Sequence, residues 1–277
     1  MTYPIVLVHG IARFDVLWDN LLGIDRTSSV FLDRFHYFKG IRTMLIQKGF
    51  SAFCANLPWA KGVDKRAECL KHTVIHVLQE THAPKVNLIA HSMGGLDARH
   101  MLFNDRHKDQ IHEKIASLTT ISTPHEGSPL ADRIMQRMEP LLRLSGGVRM
   151  YIKGLEDVGT RACIAYNNRE DVKEFEASCE GDILFQTYAG RHPLPGISAF
   201  HKRSHILIYR LEGDNDGMVS VKSAKWRERY FKGILEGMDH LGEVGWVSPD
   251  QVLRGKSPKK HLRKTHEFYA ELAKDLP

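Results

Sequence analysis

No stretch of the 277-residue chain approaches the roughly 20 consecutive apolar residues of a membrane-spanning helix, so no transmembrane segment is expected. Internal repeats, low-complexity tracts and Pro/Gly/Ser-rich linkers are also missing, which points to one domain over residues 1–277. Cysteine is scarce: Cys54, Cys69, Cys163 and Cys179 are enough for two bridges. Cys54 falls in an expected buried strand and Cys69 on an expected helix, so reduced structural thiols are the reading. The net charge of +6 comes with no nucleic-acid-binding motif, and nucleic acid is not expected as a partner. Much of that excess sits in the tail, at Arg254, Lys256, Lys259, Lys260, Arg263 and Lys264, as the solvated face of a helix from Ser257. Strand-forming sequence begins almost at Met1 and leaves no room for a signal peptide. The chain as it stands is therefore expected in the cytoplasm, a mature secreted form being the alternative.

What is present is alternation. Ile5 to Val8, Ala52 to Leu57, Val86 to Ala90, Ala116 to Ile121 and Ile183 to Tyr188 read as strands, with a short one near Gly233 to Leu235. Phe38 to Lys48 and Asp64 to Thr81 read as helices; in the second, Ala67, Leu70, Val74, Val77 and Leu78 share a face. Strand–helix alternation predicts an α/β fold with a mostly parallel sheet, helices on both faces and functional loops at the strands' carboxyl ends. With 42% apolar residues, a chain of this length buries one large core.

The most informative segment is Ala90-His91-Ser92-Met93-Gly94-Gly95, between an apolar strand and a helix-forming stretch from Leu96. A sharp strand-to-helix turn with small residues around a serine lifts Oγ out of the sheet; the common pattern is G-x-S-x-G, and here Ala90 takes the first glycine's place. Upstream, Tyr3-Pro4-Ile5-Val6-Leu7-Val8-His9-Gly10-Ile11 reads as a buried strand ending in a glycine-permitted loop. In a serine hydrolase of this design, the loop after that strand and the residue after the nucleophile supply the oxyanion donors. The candidates are the backbone N–H groups of Ile11 and Met93. Downstream, Gly213-Asp214-Asn215-Asp216-Gly217 offers a carboxylate in a turn, and Asp239-His240 offers an imidazole. Serine is a poor nucleophile until a histidine takes its proton and an acid holds that histidine's tautomer, and the chain order here is serine, acid, histidine.

These segments resemble the true lipases of the α/β-hydrolase superfamily, the group typified by Pseudomonas and Burkholderia triacylglycerol lipases and their shorter bacterial and fungal relatives. The matching stretches are Tyr3 to Ile11, Asn87 to Arg99, Ser122-Thr123-Pro124-His125-Glu126-Gly127-Ser128, Asn215 to Ser220, and Asp239-His240-Leu241 with Val244. The resemblance implies an α/β-hydrolase fold, Ser92 as nucleophile, Asp216 rather than Asp214 or Asp239 as triad acid, and His240 as base. It also implies where a calcium site would lie in the calcium-dependent members, and there the chain departs. Gly242 and Trp246 stand where a carboxylate and a glutamine are needed, and Arg191 to Leu211 contains no acid. Calcium needs several oxygen ligands, so no calcium site is expected. His72/His76 and His201/His205 have helical i, i+4 spacing but no acid or cysteine cluster beside them, and neither a metal nor a cofactor is expected.

The resemblance further implies an ester substrate, acylglycerols first, met at a lipid–water interface. A short-chain carboxylesterase or phospholipase is the alternative, and an acyltransferase or a non-catalytic binding protein comes after it. Substrate information must reside in the insertions. From Ser128 to Tyr166, Ile134, Met135, Met138, Leu141, Leu142 and Leu144 form an apolar stripe, continued after Gly146-Gly147 by Val148, Met150, Tyr151, Ile152 and Leu155. Such a stripe is that of a core helix, but its position matches the lipase lid, so a helical lid or cap is expected at about 128–166, the glycine pair serving as hinge. Phe14, Leu17, Trp18, Leu21, Leu22, Phe31, Phe35, Tyr37 and Phe38 would form the opposite wall of an acyl pocket or pack on the sheet.

Overall fold

A computed structural model describes residues 2–11, 37–59, 61–144 and 153–277, with the side chains of 140–144 outside the description. Six strands, β1 Ile5–Val8, β2 Ala52–Cys54, β3 Val86–His91, β4 Ile115–Ile121, β5 Leu184–Arg191 and β6 Phe231–Glu236, form one sheet in the order β2-β1-β3-β4-β5-β6. Every pairing is parallel. Parallel strands bury both faces, which is why β1, β3 and β4 read as unbroken apolar or small-polar runs and are buried along their whole length.

Alternation along the strands divides the core. Val6, Val8, Leu88 and Ala90 face Ala67, Leu70, Val74 and Val77 of α2 (Val63–Thr81) and Ala98, Met101 and Leu102 of α3 (Met93–Asp105). Ile5, Leu7, Ile89 and Ile121 face Ile41 and Leu45 of α1 (Ile41–Gln47) and, further on, Tyr269, Ala270 and Ala273 of the tail helix Pro258–Lys274. The tail helix is capped by Ser257, whose hydroxyl accepts from Lys260 N–H.

Element types match the sequence reading, and the differences lie at ends. β2 stops at Cys54 instead of running to Leu57, because the Leu57 N–H turns away to donate to His9 Nε2 at 3.0 Å and Pro58, which has no N–H, follows. β5 runs on to Arg191 and β6 spans Phe231–Glu236, since each pairs the other through Arg191↔Glu236. No disulfide joins the four cysteines, and Cys163 and Cys179 are buried.

After β4 the chain forms α4 (Pro129–Leu144), α5 (Lys153–Asp157), α6 (Thr160–Asn167) and α7 (Glu170–Ser178). Ala131, Val158 and Cys163 of this segment pack on Met93 and Leu96 of α3, with Ile11 and Leu155 at the edge. The insertion thus sits over the first turn of α3, while Ile134, Met135 and Met138 are only half-buried. The expected glycine hinge with Val148 to Ile152, Ala60, and the stretch Phe14 to Phe35 of the expected second wall lie outside the described residues. α8 (Lys202–Glu212) packs beside α4. Among the described residues no helix is long and apolar enough to cross a membrane.

Candidate active site

The strand order reverses between β1 and β3, and the loops after these two strands meet there, as ligand sites in open parallel sheets do. Ser92 follows β3 with φ 57° and ψ −134°, a conformation a non-glycine residue adopts only when its surroundings impose it. Three bonds do so: Ser92 N–H donates to Ile121 O at 2.9 Å, and Ser92 O accepts from Gly95 N–H at 3.1 Å and from Thr123 Oγ at 2.7 Å. The turn also needs the missing side chain at Gly94, where a Cβ would lie 2.6 Å from Val8 O and 2.9 Å from His9 O. Ala90, in the place of the usual first glycine, is fully buried in β3.

His240 Nε2 lies 3.0 Å from Ser92 Oγ, and His240 Nδ1 lies 2.7 Å from Asp216 Oδ2. The two residues are also joined through the backbone, His240 N–H donating to Asp216 O at 3.0 Å. Asp216 is fully buried, and burial alone would raise its pKa. The charge and hydrogen bond of His240, with Met218 and Val219 N–H groups on Oδ1 at 2.8 and 2.7 Å, outweigh that and hold it down at about 2. Because Asp216 is a carboxylate, Nδ1 carries the proton and donates, which leaves Nε2 as the acceptor for the Ser92 hydroxyl.

The other two candidate acids are engaged elsewhere. Asp214 is exposed and pairs with Arg191 at 2.7 Å. Asp239 is buried and ties the turn after His240: Oδ1 accepts from Gly242 N–H at 2.9 Å, and Oδ2 from Ser198 N–H at 3.2 Å and Gln251 Nε2 at 2.7 Å. Gly242 O in turn accepts from His261 Nε2 at 2.9 Å, so this turn is fastened by protein groups on both sides.

Met93 opens α3, so its N–H is one of those a helix cannot pair within itself. Gly10 abuts the serine: a Cβ there would come within 2.7 Å of Ser92 Cβ, which brings the Gly10–Ile11 peptide beside Oγ.

A second buried cluster that the sequence did not flag lies behind the triad. His91, with its ring 4.5 Å from that of His240, bonds Tyr37 OH through Nδ1 at 2.7 Å and Glu243 Oε2 through Nε2 at 2.9 Å. Glu243 Oε1 accepts from Ser122 Oγ at 2.8 Å, and Ser122 Oγ accepts from Gly190 N–H at 2.9 Å. Burial, then the nearby Asp216 charge, pushes the Glu243 carboxyl well above the usual range; burial, then His240, pushes His91 well below its own. Both shifts favour the uncharged form. His91, His240 and Glu243 have ligand atoms within 4.8 Å of one another, the spacing of a metal-binding group. Their polar atoms are already engaged with Tyr37, Ser122, Ser92 and Asp216.

Comparison with known proteins shows what the chain is similar to. Residues 61–143 match the family described as "PGAP1-like alpha/beta domain". Triacylglycerol lipase 2 of Saccharomyces cerevisiae is 28% identical over 275 residues, covering 88% of this chain and 80% of that protein. The triacylglycerol lipase of Pseudomonas fragi is 36% identical over 138 residues, half of this chain and 40% of its own length. A metagenomic carboxyl esterase of known structure superposes with a TM-score of 0.65 at 15% identity, over 98% of this chain and 76% of that one. The chain has the α/β-hydrolase fold and is similar in sequence to triacylglycerol lipases. In this α/β-hydrolase, the segment shared with the family model runs from α2 through the serine turn into α4, while the imidazole and its acid come from loops after β6 and α8.

Proposed function

We propose that this protein hydrolyses carboxylic esters, acylglycerols first among them, with Ser92 as nucleophile, His240 as general base and acid, and Asp216 as the residue that orients and stabilises the imidazole. The observation that carries the proposal is the linear hydrogen-bonded series Ser92 Oγ, His240 Nε2, His240 Nδ1, Asp216 Oδ2, with steps of 3.0 and 2.7 Å at the ends. The names of the sequence relatives support the substrate class.

The chemistry follows from that geometry. His240 Nε2 takes the Ser92 proton as Oγ adds to the ester carbonyl, and the N–H groups of Ile11 and Met93 receive the negative charge that develops on oxygen. Each such donor contributes about 3 to 4 kcal/mol to transition-state stabilisation. Collapse expels the alcohol, which leaves with the proton from His240 Nε2, and the acyl group stays on Oγ. Water then attacks, giving its proton to His240, and the carboxylic acid departs as Oγ regains it. The described part of the 128–166 segment, which packs on Met93 and Leu96 through Ala131, Val158 and Cys163, acts as the cap above the acyl site.

A fluorophosphonate probe followed by adduct mapping tests the nucleophile: labelling at Ser92, abolished by Ser92→Ala, is the expected result, and labelling elsewhere refutes the mechanism. Hydrolysis of tributyrin and long-chain triglyceride emulsions, with and without chelator, tests the substrate class. Turnover of dissolved short-chain esters alone would make the protein a carboxylesterase.

A further inference from the structure

We propose that the outer face of α8, together with Phe200 just before it, docks the protein on lipid surfaces that carry anionic headgroups; the inference deepens the ester-hydrolase reading and rests on it. Lys202, Arg203, Ile206, Tyr209 and Arg210 are all exposed. At 100° per residue they fall within one arc of roughly 120°, with no acid among them. Ser204, His205 and Ile208 are buried on the opposite side. The nearest acids in sequence are engaged: Glu212 accepts from Ser220 Oγ at 2.6 Å, and Asp214 pairs with Arg191. Lys202, Arg203 and Arg210 have no ion pair among the described residues, whereas Arg66, Arg99, Arg191, Arg227 and Arg254 all do. The neighbouring α4 adds exposed Arg133 and Arg137, likewise without an acid partner among the described residues.

Unpaired cations alone would suit any acidic partner; the apolar side chains among them narrow the choice. Phe200 is 74% exposed and Tyr209 57%, with Ile206 also exposed. A purely polar acidic partner would leave these in water, and a neutral oil would leave the cations without counter-charge. Anionic headgroups above acyl chains satisfy both, the combination read by interfacial helices. Position agrees. His201, next to Phe200, packs beneath the turn holding Asp216, where a Cβ on Gly217 would come within 2.6 Å of His201 Cβ. Docking through this face would set the triad end of the molecule at the lipid.

The test uses full-length Ser92→Ala protein and sedimentation with phosphatidylcholine vesicles, with and without phosphatidylglycerol. Binding is expected to require phosphatidylglycerol and to fall with salt. Arg203→Glu with Arg210→Glu should weaken it by about fivefold or more for each charge removed. Phe200→Ser with Tyr209→Ser should weaken it while leaving the salt dependence unchanged. In the Ser92 background, both double variants should hydrolyse a dissolved short-chain ester as the parent does. Equal binding to neutral vesicles, indifference to the charge reversal, or equally tight binding to polyglutamate would overturn the proposal, the last because an acidic protein would then fit as well. Loss of ester hydrolysis with vesicle binding intact would refute the enzymatic reading alone, and hydrolysis without vesicle binding would refute the docking surface alone.

Discussion

Arg66 of α2, wholly buried, donates from one guanidinium nitrogen to the Gly10 carbonyl oxygen at 3.0 Å and to that of His9 at 2.8 Å. The same side chain pairs with Asp97 of α3 at 2.7 Å and donates to Pro58 O at 3.0 Å. It therefore links the loop after β1, whose next N–H is that of Ile11, to the helix that begins at Met93. Arg66→Met leaves Asp97 as a buried charge without a partner, and a loss of about 3 to 5 kcal/mol in unfolding free energy is expected from urea titration. Arg66→Leu combined with Asp97→Leu should recover much of that stability. If Arg66 positions the oxyanion loop, the double variant still shows a kcat at least tenfold below the parent with KM little changed; full recovery of kcat would reduce Arg66 to a structural role.

The Ser92 backbone predicts a conflict between stability and activity. A non-glycine residue at φ 57°, ψ −134° stores about 1 to 3 kcal/mol of strain, which glycine does not incur. Ser92→Gly removes the nucleophile and should abolish ester hydrolysis while raising the thermal midpoint by a few degrees. A midpoint that stays level or falls would mean that the side chain contributes more to the fold than the strained turn costs it.

The sheet, both main packing faces and the serine turn were legible because each writes itself into contiguous sequence: an apolar run for a buried parallel strand, a 3.6-residue stripe for α2, small residues flanking Ser92. Spacing alone left Asp214, Asp216 and Asp239 open, since a turn rich in Asp, Asn and Gly puts a carboxylate at every second position. The acid was narrowed by resemblance, and only Asp216 approaches His240. Arg66 was invisible, because a single cation on an amphipathic helix reads as solvated, and nothing local reveals that three backbone carbonyls converge on it. The His91–Glu243 contact spans 152 residues and joins the last residue of β3 to the short helical turn Gly242–Val244, a proximity that no periodicity encodes. The strand end at Cys54 could have been placed from Pro58, whose missing N–H makes a continuing ladder costly.

Asp216 predicts an acid-side dependence of stability. Its folded pKa, about 2, lies below the ordinary 3.8, so its stabilising contribution is complete above the unfolded value and disappears as pH falls from about 4 to about 2. The contribution is on the order of 2 kcal/mol. Asp216→Asn should flatten the urea midpoint across that window relative to the parent. It should also lower kcat by about 10⁴-fold at neutral pH, because an amide permits the wrong imidazole tautomer. A variant with the same acid-side slope as the parent would show that other carboxylates carry it.

Glu243 predicts the opposite sign. Burial beside Asp216 raises its folded pKa well above 4.5, so the unfolded chain releases this proton before the folded one does, and stability declines as pH rises above the unfolded value towards the folded one. Glutamine has nearly the same shape, donates through Nε2 to His91 and accepts from Ser122 Oγ through Oε1, and carries no proton to lose. Glu243→Gln is therefore expected to be at least as stable as the parent at pH 7, with the difference growing towards alkaline pH, and to keep kcat within about threefold. Glu243→Leu instead strands the His91 imidazole and the Ser122 hydroxyl in the core, each costing about 1 to 3 kcal/mol. Thermal melts of the three proteins between pH 5 and pH 9 decide the matter: a parent that outlasts the glutamine variant at the alkaline end would mean that Glu243 is ionised in the folded protein, and the neutral pairing with His91 would have to be abandoned.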